Sequence, residues 1–396
     1  MEERKLSQAP MDLIYLAGCA VNSQAPRPER VAEIGKTEDG WANLRAKARQ
    51  QKMSAMAAIA LESMSEEDQE RVIPAEERDF WHKERMANLR RRMMFDTERE
   101  EIYHFLDEQG IWYVPLKGII IQDYYPVYEM REMSDNDILF DQTRREDVRK
   151  WFEARGYRHE SDDNVDAYLK EPFYNYEMHF ILFNLGYGRD VRYFSEIDRR
   201  SVKNDSSGHL MEKKMPDEDF YLYFLAHANK HANLCGSGIR PVFDHYVIRK
   251  EYEGRLDNSS LEKKMVILQI EDFSAALNEL SRILVTNPED IDLSQLHEES
   301  WELVSSMLRA GIFGSELERQ RIFFHNQARG EKLTRKQKWR YIMLRMFPNR
   351  EYMQIIYPIL EKHPILLPVL YLDRLIKRSI HQREQIKTEL KGFNEL

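Results

Sequence analysis

The chain has 396 residues, 42% hydrophobic and 32% charged, a balance that suits a globular protein with two or three packing units and excludes a disordered or fibrous one. Its formal net charge of −9 argues against bulk attraction to nucleic acid, which shows as a basic surplus. No apolar run approaches the ~20 residues needed to cross a bilayer. Cys19 and Cys235 have neither disulfide nor metal-ligand spacing, so a reducing, cytoplasmic setting is expected.

The charged start MEERKLSQAP and the short apolar stretch 11–21 read as a helix rather than a secretory signal. Residues 53–64 are rich in strong helix formers. Over 77–108, Phe80, Met86, Leu89, Met93, Ile102, Phe105 and Leu106 recur at helical spacing, and Gly110 closes that helix. The period then changes. Residues 111–116 (IWYVPL), 138–140 and 176–183 (YEMHFILF) are β-prone, with a helix over 147–156 between them. Residues 204–216 are polar and read as a linker. From 217 the chain returns to helix, over 217–234, 261–284 and 303–326, and Pro348, Pro358, Pro364 and Pro368 are expected to break the tail into short pieces. The reading is an α+β protein: an N-terminal helical region over 1–109, a small mixed β-sheet core over 110–215 and a C-terminal helical domain over 216–396.

The chemistry concentrates in 114–140. A β-prone segment runs into Lys117-Gly118; Arg131 follows, and Asp135-Asn136-Asp137 leads into another β-prone segment. If 135–139 is a strand, its period of two puts both aspartates on one face. Two carboxylates that close stay ionised only beside a cation. Mg²⁺ (or Mn²⁺) suits such a pair, because it takes one or two carboxylates together with substrate phosphates, and paired metals polarise both oxygens of a phosphoryl displacement. Gly118 lets backbone N–H groups approach phosphate, and Lys117 and Arg131 would neutralise its charge. Glu177 is the best third acid, and His179 shares its strand face as a proton acceptor or phosphate contact.

These residues resemble a bacterial nucleotidyltransferase family that is often left uncharacterised by substrate. The likeness rests on Lys117-Gly118, Tyr125-Pro126, Arg131 and Ser134-Asp135-Asn136-Asp137-Ile138-Leu139, with Gly156-Tyr157 and Glu177-Met178-His179 after them. His227, His231, Arg240 and Asp244 are similar to the family's helical segment, Trp41 to Ala46 to its N-terminal region, and Phe347-Pro348 through Tyr357-Pro358 to Tyr371 and Arg374 to its closing region. The resemblance implies a polymerase-β-like nucleotidyltransferase core, an NTP donor and a divalent cation. It assigns Asp135, Asp137 and Glu177 to metal and catalysis, and Lys117, Gly118, Arg131, Ser134 and His179 to the nucleotide. The acceptor it leaves open, with a small molecule or protein favoured over nucleic acid.

The chain departs from the wider superfamily in two places. Ile119 follows Gly118 where Gly or Ser is usual, and Asn136 separates the aspartates where an apolar residue is usual. A buried amide without partners costs about 1–3 kcal/mol, so Asn136 must find hydrogen bonds or lie at a sheet edge. Both departures favour the competing reading, a non-catalytic nucleotidyltransferase-like scaffold that binds a nucleotide or a protein. Bland readings stand beside other features. His227 and His231, four apart on one helix face, could ligate zinc, but Ala228 replaces the glutamate of the H-E-x-x-H motif, so packed or substrate-facing histidines are expected. Arg240 and Asp244 have the spacing of a local helix ion pair. Asp162-Asp163-Asn164-x-Asp166 lacks the glycine and glutamate of a calcium loop. The basic clusters at Arg85 with 90–92 and at 332–340 are read as solvated helix faces.

Overall fold

The computed structural model describes residues 4–161, 164–183, 188–234, 237–311, 343, 347, 350, 353, 357 and 359–381. Five helices open the chain: α1 (Gln8–Val21), α2 (Pro28–Ile34), α3 (Gly40–Gln51), α4 (Ser54–Glu62) and α5 (Glu66–Val72). In α4 every residue from Ser54 to Leu61 is buried, as expected of a helix that is small and apolar on all sides. The long helix α6 (Ala75–Glu108) follows and ends before Gly110, which adopts a φ of +64°.

The buried stripe of α6 is Trp81, Asn88, Arg92, Phe95, Arg99, Ile102 and Leu106, at alternating steps that keep one face inward. Of the apolar residues that mark this helix in sequence, Met93 is exposed while Ile102 and Leu106 are buried. The helix therefore buries polar side chains at its centre, and each has a partner. Asn88 donates to the Glu129 carbonyl, Arg92 to the Tyr128 carbonyl and Asp123, and Arg99 to Asn136. These bonds pin the segment that leads from residue 122 to the aspartates.

The sheet holds β1 (Tyr113–Pro115), β2 (Asn136–Phe140), β3 (Arg158–Ser161), β4 (Val165–Lys170) and β5 (Tyr174–His179) in the order β1-β2-β5-β4-β3. Helix α7 (Gly118–Ile121) lies between β1 and β2, and α8 (Arg145–Ala154) between β2 and β3. The β2–β5 pair is parallel and the other pairs are antiparallel. The protein is thus α+β, a small mixed sheet with helical regions before and after it. Strands β3 and β4 were not expected from sequence, since Arg158–Ser161 is a charged, largely exposed edge that shows little hydrophobic alternation.

Beyond the sheet come α9 (Gly188–Phe194), α10 (Ile197–Arg200) and a small pair, β6 (Val202–Lys203) with β7 (Lys213–Lys214). The stretch 204–216 is not a free linker: the Met211 N–H donates to Asp107 at 2.8 Å and the Met211 carbonyl accepts from the Tyr113 N–H at 3.3 Å. The helical region then holds α11 (Asp217–Leu234), α12 (Arg240–Glu251), α13 (Asn258–Leu268), α14 (Glu271–Leu284) and α15 (Glu298–Ala310), followed by α16 (Ile359–Lys362) and α17 (Leu367–His381). The helix expected over 261–284 breaks where Gln269 turns left-handed at φ +53°. That expected over 303–326 ends at Gly311, and 312–326 lie outside the described residues. Pro348 and Pro358 also lie outside them, while Pro368 stands in the first turn of α17, where a proline removes no helical bond.

The two sheet faces meet different cores. Tyr113, Ile138, Phe140, Tyr168, Tyr176 and Met178 pack with Phe95, Ile102 and Leu106 of α6 and Phe152 of α8. Val114 and Leu139 belong to a second cluster that joins α1–α4 to α11–α15, so helices from both ends of the chain share one interior. Gln51 at the end of α3 ties them: its Nε2 donates to the carbonyls of Met307 at 3.4 Å and Leu308 at 3.3 Å, and its Oε1 accepts from the Ile239 N–H at 2.8 Å. Replacing it strands buried backbone groups. Gln51→Leu should lower stability by about 1–3 kcal/mol, measured by urea denaturation; an unchanged midpoint would show that these bonds carry no weight.

Candidate active site

The site grows from one register. β2 and β5 run parallel with Asp137 opposite Glu177 and Leu139 opposite His179. Period two turns Asp137, Glu177 and His179 to the same face, toward α11, while Asn136, Ile138 and Tyr176 face α6. One ligand atom from each of Asp137, Glu177 and His179 lies within 4.8 Å of the others. Among the described residues no other three acidic, histidine or cysteine side chains are so placed. The loop after β1 adds Lys117, whose Nζ lies 2.7 Å from Asp137 Oδ1. Lys117 adopts φ +42° and ψ −113°, an unfavourable conformation for a side-chain-bearing residue, costing on the order of 1–3 kcal/mol.

Asp135 sits just before β2, half-buried. It interacts electrostatically with Asp137, Lys117, Arg240 and Arg131, but it is not in the group at ligand distance. Strand geometry begins only at Asn136, which is why the two aspartates do not sit as a simple alternating pair. The acids titrate in different directions. Burial and the charge of Asp137 push Asp135 up. Burial also opposes charge on Asp137, yet Lys117 and His179 hold its carboxyl well below the ordinary range. Burial, then Asp137 and Asp135, pushes Glu177 up to about 8 against the weaker pull of Lys117 and Asn175. On Lys117, burial is outweighed by Asp137, Tyr223, Glu177 and Asp135, so the ammonium stays charged. The cleft therefore concentrates three acids around one lysine.

The proton on His179 can be assigned from its neighbours. Asn164 Nδ2 donates to the Ile181 carbonyl at 3.2 Å, which fixes that end of the amide as the NH₂. The same nitrogen lies 3.4 Å from His179 Nδ1, so Nδ1 accepts and the proton sits on Nε2, which donates to Asp137 Oδ1 at 2.7 Å. Burial keeps the ring neutral by lowering its pKa. In this tautomer His179 holds Asp137 and turns no lone pair toward a metal.

The remaining sequence candidates fall elsewhere. Arg131 is buried in a fork with Asp244, Nε to Oδ1 at 2.8 Å and Nη2 to Oδ2 at 3.0 Å, and Tyr125 Oη donates to the same Oδ1 at 2.8 Å. A Cβ on Gly118 would meet Arg131 Nη1 at 2.8 Å, so this glycine is required by the arginine running beneath it. Ser134 is half-buried beside Asp135. Asn136 is fully buried in a central strand, not at an edge. Its Oδ1 accepts from Arg99 Nη1 at 2.7 Å, and its Nδ2 has no partner among the described residues.

His227 and His231 line one face of α11 with their Nε2 atoms 3.0 Å apart. No third metal ligand among the described residues joins them. Burial, then Lys117, holds His227 well below its usual pKa. Tyr223, one turn earlier, is buried on the same face and interacts with Lys117, Asp137 and Glu177. It was missed, although the i, i+4, i+8 spacing of Tyr223, His227 and His231 signals a shared face. Asp162 and Asp163 lie outside the described residues, and Asp166 is spent on Arg145 and His159. Of the basic clusters, Arg85 pairs with Glu62 and Glu129 and Arg92 with Asp123, while 332–340 lie outside the described residues.

The model of a family described as uncharacterised nucleotidyltransferase matches residues 37–285. The chain belongs to that family. The match runs from α3 to α14 and includes both halves of the cleft, the sheet acids and the helices facing them. No curated protein and no solved structure matched the chain. Within this family member, Arg131 reads as a strut between the loop before β2 and α12. Arg131→Met would leave Asp244 buried without its fork and should cost about 3–5 kcal/mol, measured by chemical denaturation. Glu177 supplies a pH test. Its folded pKa near 8 lies above the unfolded value of about 4.3, so the folded state holds the extra proton between them and stability falls as pH rises through that window. The metal-free protein should lose thermal stability from pH 5 to pH 8 more steeply than the Glu177→Gln variant; parallel slopes would refute the assignment.

Proposed function

We propose that this family member transfers a nucleotidyl group from an NTP to an acceptor in a reaction dependent on Mg²⁺ or Mn²⁺. The observation that supports it best is the in-register pairing of Asp137 with Glu177 beside Asp135, in a buried cleft where one lysine faces three acids. With all three ionised the cluster is short of positive charge, and a divalent cation is the species that balances it. The donor set fits, since carboxylate oxygens suit hard cations. Asp137 and Glu177, with Asp135 next to them, would hold the cation, and bound there it would polarise a phosphoryl oxygen and stabilise charge on the transferring group.

The chain's own residues account for the rest of the reading. Lys117 supplies a point charge to the donor's phosphates next to Asp137. His179 keeps Asp137 in orientation, a positioning role. Glu177, the third acid of the group, would serve as a cation ligand or as the base that takes the acceptor's proton. The face formed by Tyr223, His227 and His231 walls the cleft opposite the sheet and shapes the acceptor pocket, for which a small molecule or a protein side chain fits an acidic chain better than nucleic acid.

One observation favours the scaffold alternative. Asp137 Oδ1 already meets both Lys117 and His179, a self-neutralised arrangement. The two readings separate on incubation with each of the four α-labelled NTPs, a divalent cation and cell extract. Transfer of label is expected from the wild type and loss to background from Asp137→Ala. His179→Asn should weaken cation dependence by about 10–100-fold without abolishing transfer. Nucleotide binding that ignores both the cation and Asp137→Ala, with no label transferred, would establish the scaffold. Zinc analysis of the purified protein closes the third reading if no stoichiometric metal is found.

A further inference from the structure

Two arginines approach one carboxylate at the wall of the cleft, and only one of them is satisfied. Asp244 Oδ1 accepts from Arg131 Nε at 2.8 Å and from Tyr125 Oη at 2.8 Å, and its Oδ2 accepts from Arg131 Nη2 at 3.0 Å. Arg240 comes second: its Nε stands 3.9 Å from Asp244 Oδ2, beyond hydrogen-bond reach. That Nε is buried with no hydrogen-bond partner among the described residues. Its Nη1 donates to the Glu132 carbonyl at 2.8 Å, a neutral acceptor. Burial, then repulsion by Arg131, works against its charge, and Asp244 and Asp135 do not make up the difference.

A guanidinium remains protonated at any working pH, so this is a buried cation whose nearest carboxylate, Asp244, gives its hydrogen bonds to Arg131 instead. Its other acidic neighbours are Asp135, which also faces Asp137 and Lys117, and Glu132, whose carboxylate accepts from the Ala55 N–H at 3.0 Å. When a cation occupies the acids, Asp135 has less charge to spare for Arg240. A buried, under-compensated arginine beside an acidic cluster is the arrangement expected where a ligand brings the missing negative charge.

We propose that Arg240 is the polyphosphate-binding arginine of this cleft, receiving a phosphate of the donor nucleotide on the far side of Asp135 from the Asp137–Glu177 pair, while Arg131 is confined to structure. The ligand class rests on the nucleotidyl-transfer reading; the under-compensated cation does not. The sequence-based assignment of a phosphate contact to Arg131 thereby passes to Arg240, four residues from the carboxylate that Arg131 occupies.

The test is calorimetric titration of the full chain, as wild type, Arg240→Met, Arg240→Lys and the double variant Asp135→Ala, Asp137→Ala, with MgATP, magnesium tripolyphosphate, inorganic phosphate and adenosine. Thermal unfolding without ligand is recorded alongside. Arg240→Met should weaken tripolyphosphate and ATP at least tenfold, leave the ligand-free melting temperature unchanged or higher, and be partly rescued by Arg240→Lys. Wild-type affinity in Arg240→Met, a lower ligand-free melting temperature with that affinity retained, or no tripolyphosphate binding by the wild type would each overturn the proposal. Inorganic phosphate bound as tightly as tripolyphosphate would overturn the donor assignment. Tripolyphosphate binding that needs Arg240 but ignores the aspartates, without any label transfer, would keep the anion site and sink the catalytic reading.

Discussion

A buried carboxylate survives only in company, and the grip on Asp137 organises everything near it. Its charge is met by Lys117 from the loop after β1 and its orientation by His179 from β5, so two segments far apart in sequence close on one oxygen. The backbone cooperates, since the Leu116 N–H donates to the Asp137 carbonyl at 3.0 Å and fixes the loop against β2. The left-handed φ of Lys117 follows: the chain must turn sharply there for its ammonium to return to the strand it has just left. Strain at this residue and charge balance at Asp137 are two sides of one constraint.

The same strand is held from behind by opposite means. Asn136 faces α6 and meets Arg99, and the buried polar stripe of Asn88, Arg92 and Arg99 fastens the segment before the aspartates. An apolar residue at 136 would pack against α6 without specifying register. The amide–guanidinium bond does specify it, at the cost of one unpartnered Nδ2. A one-residue slip of β2 would carry Asp137 to the α6 face and Asn136 to the cleft, so the polar contact behind the sheet protects the chemistry in front of it.

Much of this was legible in the residues. The period change near 110, the β-prone segments flanking the aspartates, and the pairing of Glu177 and His179 by period two all correspond to the structure, because those signals are local and hydrophobic. What sequence missed lacks such a signal. β3 is a charged edge, β4 is an inner strand whose buried face is carried by Asp166 and Tyr168, and α6 was marked by its apolar spacing while part of its buried face is polar. In sequence Arg131 reads as a phosphate contact and Arg240 as the helix partner of Asp244; only the fold reveals that Asp244 is spent on Arg131. Asn164 stood in a polar run without periodicity, yet it sets the tautomer of His179. Partner identity is a long-range property, and neither propensity nor spacing encodes it.

The cleft's position follows from where the two cores part. One sheet face packs on α6 and α8, while the other packs toward α11 and α12, which share a core with α1–α4 from the opposite end of the chain. Between that face and the helices the charges fall into two groups. Asp137, Glu177 and His179 on the strands cluster with Lys117 of the loop after β1; Arg131, Arg240, Asp244 and Tyr125 cluster at α12, and Asp135 feels both. An acid between an acidic group short of cations and a basic group short of anions cannot satisfy both by itself. The metal–nucleotide complex proposed above would answer each shortage at once, the metal on the acidic side and the polyphosphate on the basic side.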